Sequence, residues 1–111
     1  MSFQRVADAA DLWPGEMRGI DVDGLKVLIA NLDGEVVAYE DRCAHQGVPL
    51  SRGQLARVGC ALTCAAHGWQ YDLRTGDGIN PKGVALRRLP VKIEAGGIWV
   101  ETNVEQGRFP R

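Results

Sequence analysis

Two stretches, Cys-Ala-His-Gln-Gly at Cys43–Gly47 and Cys-Ala-Ala-His-Gly-Trp at Cys64–Trp69, hold every cysteine and histidine of the chain except Cys60. His45 and His67 are the only histidines, and each stands close to a cysteine. Two Cys-plus-His pairs on separate loops can bring two thiolates and two imidazoles to one centre. That donor set suits tetrahedral zinc. It also suits a two-iron, two-sulfide cluster in which two His replace two Cys on one iron. Structural zinc loops commonly open with paired cysteines and close with paired histidines. Here each loop supplies one of each, so one iron can take both thiolates and the other both imidazoles. The two-iron centre is the better match, and a zinc-stapled structural or binding module is the alternative.

Outward from these motifs the chain reads as strands and turns. Phe3 to Ala7 forms a first short strand. Asp8 to Met17 is a turn or single helical turn, interrupted at Pro14 and Gly15, with Leu12 and Trp13 expected to cover the core. Arg18 to Val22 and Lys26 to Asn31 flank Asp23-Gly24, a tight-hairpin dipeptide, and Asp33-Gly34 repeats the device before Glu35 to Tyr39. From Asp41 to Ala66 no period persists, apart from a strand near Val58 to Thr63. A long irregular stretch inside a compact domain is usually functional, and this one carries the metal donors. Trp69 to Leu73 resumes strand character. A Gly-rich loop follows at Arg74 to Gly83, and then a hairpin of Val84 to Glu94 with Ile98 to Thr102 around Ala95-Gly96-Gly97. The tail from Asn103 to Arg111 is irregular. The fold class is all-β, a small antiparallel sandwich or barrel with cluster-bearing loops at one end, and residues 1–111 form a single domain.

Composition narrows the function. The chain has 111 residues, 45% hydrophobic and 24% charged, enough for one core. Its longest aliphatic run, Val27 to Ala30, is far too short to span a bilayer, and the opening residues carry acids and lack the apolar stretch of a secretory signal. A cytoplasmic protein with no membrane association is expected. Three cysteines in such a chain point to metal or thiol chemistry rather than a disulfide framework. Acids dominate residues 1–41 and bases residues 42–92, which suits docking by orientation. The bases are not clustered in runs and the pI is about 6.1, so nucleic acid is not an expected partner. No acid–base or nucleophilic constellation appears, and no Gly-rich phosphate loop follows a strand and opens a helix.

The motif Cys-x-His-x-Gly at Cys43–Gly47 with Cys-x-x-His-Gly-Trp at Cys64–Trp69 resembles that of the Rieske-type [2Fe–2S] ferredoxins. Gln70-Tyr71-Asp72 and the Thr75-Gly76 turn are also similar to that family. The gap between His45 and Cys64 is eighteen residues, slightly longer than usual, which implies an enlarged loop near Ala56 to Gly59. Gly78-Ile79-Asn80-Pro81, together with Met1-Ser2-Phe3, Asp11-Leu12-Trp13 and Gly15-Glu16-Met17, resembles the ferredoxin component of toluene-type, four-component diiron monooxygenases.

The resemblance implies one [2Fe–2S] cluster, with Cys43 and Cys64 on the inner iron and His45 and His67 on the outer one. The cluster-binding loops span about 42–50 and 64–69. A third loop, about 78–83 and containing Pro81, covers the cluster, and Gln46, Trp69 and Tyr71 complete its surroundings. Cysteines that form a disulfide in the respiratory-complex members correspond to Val48 and Ala66 here, and their serine after His-Gly corresponds to Trp69. Losing that serine's hydrogen bond leaves the reduced cluster less stabilised and lowers its potential. Tyr71 is expected to keep a hydroxyl near a cysteine sulfur, and Cys60 is expected to be a small packed residue rather than a ligand. The implied role is a monomeric, non-catalytic electron carrier. It would take electrons from a flavin-containing reductase to a diiron hydroxylase acting on aromatic or alkene hydrocarbons. The alternatives are the ferredoxin of an aromatic-ring dioxygenase, against which the Gly78–Pro81 loop and the N-terminal block weigh, and a Rieske-like subunit of a reductase such as nitrite reductase.

Overall fold

The computed structural model describes residues 3–22, 24–43, 48–56, 60–65 and 68–102. Eleven strands lie in these residues: β1 (Phe3–Asp8), β2 (Met17–Val22), β3 (Leu25–Leu32), β4 (Glu35–Glu40), β5 (Gln54–Leu55), β6 (Ala61–Thr63), β7 (Gln70–Asp72), β8 (Gly78–Asn80), β9 (Arg88–Leu89), β10 (Val91–Glu94) and β11 (Gly97–Glu101). They form three antiparallel sheets, in the orders β1-β11-β10, β2-β3-β4-β9 and β5-β6-β7-β8. The all-β reading of the sequence holds, and the Asp33-Gly34 turn sits between Leu32 and Glu35 as the dipeptide requires.

The β2-β3-β4-β9 sheet is the middle layer. Alternate residues of a strand face opposite sides, and β3 uses both. Leu28, Ala30 and Leu32 enter one core cluster with Val37 and Tyr39 of β4, and with Leu62, Tyr71 and Leu73 from the β6–β7 hairpin. Val27 and Ile29 enter a second cluster with Ala38, Leu89, and Ile98 and Val100 of β11. The run Val27–Ala30 is therefore a strand buried on both faces, which is why it carries no polar alternation. Each fully buried Leu or Ile here contributes about 2 kcal/mol of apolar transfer.

Four expectations need correction. Trp13 does not cover the core: it is 69% exposed, while Leu12 beside it is buried. Its indole Nε1 donates to the Ala10 carbonyl and its backbone N–H to Glu16 Oε1, so the turn itself satisfies the ring's polar edge at the surface. The Gly-rich loop contains β8, which pairs with β7. Val84 to Glu94 is not one hairpin arm, because Pro90 divides it. Before the proline, β9 pairs with β4; after it, β10 pairs with β11. Finally, the irregular stretch after Asp41 contains β5, paired with β6. Residues 57–59 of the enlarged loop and the tail from Asn103 lie outside the described residues.

Candidate metal centre

The first cysteine loop leaves β4 at Glu40. Asp41 donates its N–H to the Lys26 carbonyl at 2.9 Å, and Cys43 donates its own to the Val48 carbonyl at 2.8 Å. The second loop leaves β6 at Thr63. Cys64 donates its N–H to the Trp69 carbonyl at 2.7 Å, and Gly68 donates back to the Cys64 carbonyl at 3.1 Å. Gly68 has φ +72°, a left-handed conformation that glycine adopts without steric penalty.

These closures turn both cysteines inward. Cys43 and Cys64 are each 2% exposed and belong to the same core cluster as Tyr39, Leu50, Leu62 and Tyr71. The Tyr71 hydroxyl lies 3.3 Å from Cys43 Sγ. Trp69, Val48, Cys60 and Val84 pack against this cluster from its margin. Pro81 is half-buried on the connection after β8, and Gly78 gives that connection room, since a Cβ there would overlap the Pro81 carbonyl oxygen. Cys60 stands at the opposite end of β6 from Cys64, and its carbonyl accepts the Leu73 N–H at 3.0 Å. His45, Gln46 and His67 lie outside the described residues.

The donor chemistry fits a thiolate-held metal group. Cys43 and Cys64 are thiols rather than disulfide partners, and a buried thiolate needs a compensating cation or donor. The phenol of Tyr71 can supply one donor, and a bound metal supplies the cation. Tyr39, farther down the same core, is held neutral. Burial first, with Asp72, Asp77 and Glu35 adding to it, pushes its phenol above the ordinary value despite Arg88. It donates to the Leu73 carbonyl at 2.7 Å and so ties β4 to the end of the β7 hairpin.

Sequence reasoning missed a group beside the first loop. Asp41 is 6% exposed, and its carboxylate accepts both the Ser51 N–H at 2.8 Å and the Ser51 hydroxyl at 2.6 Å. Short polar residues at the two ends of an irregular loop are the available signal, because Asp and Ser readily bond to nearby backbone.

Two buried thiols on paired loops, inside an antiparallel three-sheet fold, define a protein built to hold a metal group by thiolates. The family model for the Rieske [2Fe-2S] domain matches residues 2–90, and the chain belongs to that family. Its cofactor is one Rieske-type [2Fe–2S] cluster, which decides between the two metal chemistries left open by the motif. The chain is 42% identical to the ferredoxin component of the alkene monooxygenase system of Xanthobacter autotrophicus, over 92% of this chain and 83% of that one. It is 31% identical to the ferredoxin component of biphenyl 2,3-dioxygenase of Rhodococcus jostii, over 91% of this chain and 94% of that one. Among solved structures, the ferredoxin of carbazole 1,9a-dioxygenase from Nocardioides aromaticivorans matches with a TM-score of 0.81 at 28% identity. That match covers 90% of this chain and 97% of the other. No helix among the described residues is long and apolar enough to cross a membrane.

Proposed function

We propose that the chain is the electron-carrying component of a multicomponent monooxygenase. It takes one electron at a time from a flavin-containing reductase to a diiron hydroxylase that hydroxylates or epoxidises alkene or aromatic hydrocarbons. The observation that carries this reading is the pair of buried cysteines, Cys43 and Cys64, with the Tyr71 hydroxyl on Cys43 Sγ. The 42% likeness to an alkene monooxygenase ferredoxin, against 31% for a dioxygenase ferredoxin, favours the monooxygenase system.

In this reading Cys43 and Cys64 hold the inner iron and His45 and His67 the outer one. When bound, a cluster of this kind supplies storage for one electron. The chain keeps water from the cysteine sulfurs through Leu50, Leu62 and Tyr71, all fully buried. Tyr71 donates its hydroxyl hydrogen to the Cys43 thiolate and so stabilises negative charge there. Trp69 and Pro81 cover the loops, and the exposed Arg42, Arg52 and Lys82 orient a weak, salt-sensitive encounter. The protein works in the cytoplasm as a monomer and performs no substrate chemistry itself.

The test is composition followed by reconstitution. Purified protein should be brown, with two irons and two labile sulfides per chain. His67→Ala should bleach it. Added to a reductase and a diiron hydroxylase, the holoprotein should support product formation that the two enzymes alone cannot. Turnover with a ring-hydroxylating dioxygenase, and none with a diiron hydroxylase, would replace the monooxygenase assignment. Stoichiometric zinc without sulfide would overturn the ligand set.

A further inference from the structure

The first cysteine loop has a fastening at its base that touches neither sulfur. Asp41 immediately follows β4, and Ser51 lies in a single 3₁₀ turn, Leu50–Arg52. The two Asp41 carboxylate oxygens take separate hydrogen bonds from Ser51, one from its N–H and one from its hydroxyl. Beneath them lies Gly19 of β2, where a Cβ would stand 2.5 Å from Ser51 Oγ and 2.7 Å from Asp41 Oδ2. The fastening therefore occupies space that only a glycine leaves open. On the far side of the turn, a Cβ at Gly53 would overlap the carbonyl oxygen of Thr63, the residue before Cys64. Leu50, within the same turn, is fully buried in the cluster that contains both cysteines. The turn is thus tied at once to the start of loop one, to β2 and to the entry of loop two.

We propose that Asp41 and Ser51, seated on Gly19, form a clasp that sets where Cys43 stands relative to Cys64 and so governs how firmly the cluster is retained. This rests on the assignment of both cysteines as ligands. Asp41 is two residues from Cys43, whose own N–H reaches forward to the carbonyl of Val48, three residues before Ser51. Opening the clasp unties the Ser51 end of that span from Asp41, whose backbone N–H still holds to the Lys26 carbonyl of β3. A buried carboxylate that loses the Ser51 hydroxyl keeps the residue-51 N–H on one oxygen and leaves the other unsatisfied. Asp41 and Ser51 are positioning residues: they act on the cluster only through the backbone that carries Cys43.

The experiment compares the rate of iron release to a chelator from purified holoprotein, followed by visible absorbance, with the paramagnetic resonance spectrum of the reduced state. Asp41→Ala, which removes the acceptor of both bonds, should release iron at least tenfold faster than wild type and broaden the resonance of the cluster that remains. Ser51→Ala, which keeps the backbone donor, should lie between Asp41→Ala and wild type. The double variant should be little worse than Asp41→Ala, since that substitution already removes both bonds. Asp41→Asn retains an oxygen for the Ser51 N–H and an amide facing the hydroxyl, and should recover most of the retention. Ile98→Ala, which removes a buried side chain from the other core cluster, is the control for general destabilisation. It should lower the melting temperature without changing the resonance spectrum. Wild-type release rates and spectra in Asp41→Ala and Ser51→Ala, or release no faster than in Ile98→Ala, would overturn the clasp while leaving the ligand reading intact. Wild-type protein without iron and sulfide would overturn both.

Discussion

Cys43 and Cys64 each donate their backbone N–H to the carbonyl five residues on, Val48 in one loop and Trp69 in the other. The local closure is shared, although the histidine stands two residues after the first cysteine and three after the second. The anchoring below that closure differs. Loop two is the elongated end of a hairpin, and the ladder pairs Thr63 with Gln70, Leu62 with Tyr71 and Ala61 with Asp72. Loop one joins strands of different sheets, β4 and β5, so no ladder unites its ends, and the Asp41–Ser51 side-chain contact does so instead. One loop is held by distributed backbone bonding and the other by a single carboxylate that takes the N–H and the hydroxyl of one serine. Substitution should therefore affect them unequally wherever it acts on anchoring, and equally wherever it acts on the sulfurs.

The largest effect should show no inequality. Cys43→Ala and Cys64→Ala each remove one thiolate from the proposed ligand set, and each should abolish the cluster, read as loss of visible absorbance and of labile sulfide. Retention of a full cluster by either variant would remove that cysteine from the set.

Glycine substitution should separate the loops. Gly53→Ala drives a methyl into the Thr63 carbonyl, a backbone collision that cannot relax by rotating a side chain, and should cost about 3 kcal/mol of stability. Gly68→Ala meets nothing within 4 Å and is penalised only by its φ of +72°, about 1 kcal/mol. Thermal denaturation of the two variants measures the difference. Equal losses would mean that the tightness of the first loop's exit is not what holds it.

These contrasts mark what the sequence could and could not disclose. The all-β class and the first hairpins were legible because Asp-Gly dipeptides and β-branched runs are local signals. The cysteines were legible because the chain has so few soft donors. The double burial of β3 is written in Val27–Ala30, but periodicity alone does not distinguish a strand covered on both faces from other buried segments. Strands of two or three residues such as β5, β8 and β9 are recruited by pairing partners far along the chain, and nothing in Gly78-Ile79-Asn80 announces β7 as a neighbour. The Trp13 expectation failed because an aromatic ring was taken for core without asking whether its N–H had a partner nearby in the turn. The clasp escaped because Asp41 and Ser51 are ordinary loop residues until folding sets them over Gly19.

A smaller effect concerns the sulfur of loop one. Tyr71→Phe removes the hydroxyl 3.3 Å from Cys43 Sγ and leaves the ring in the core. The thiolate carries more negative charge in the reduced cluster, so losing a donor should lower the midpoint potential. One hydrogen bond is worth about 1 kcal/mol, equivalent to about 40 mV for a one-electron couple. Protein-film voltammetry on wild type and variant reads the shift directly, and an unchanged or raised potential would show that the hydroxyl does not donate to that sulfur.

The smallest effect should come from the far end of the second hairpin, where another aspartate is bonded by a downstream residue. Asp72 accepts from the Arg74 backbone N–H at 2.9 Å and from its guanidinium at 3.3 Å. The arrangement mirrors Asp41 with Ser51, but the Asp72 side chain is 23% exposed and that of Arg74 59%. Partial burial alone would raise the Asp72 carboxyl. The side-chain and backbone hydrogen bonds from Arg74, with its charge, outweigh it and hold the carboxyl below the usual value. A carboxylate with a depressed pKa in the folded state stabilises the fold above its unfolded value, about 3.9. That stabilisation is lost as pH falls through the lower folded value. Stability from this group should thus be constant from neutral pH down to about 5 and decline below about 4. Arg74→Ala should reduce the decline without removing it, because the residue-74 N–H still donates. Water and salt screen so open a pair, so the loss at neutral pH should be small and should vanish in about 1 M salt. Melting temperatures across pH at low and high salt measure it. A loss as large as that of Ser51→Ala would show that burial is not what separates the clasp from this turn.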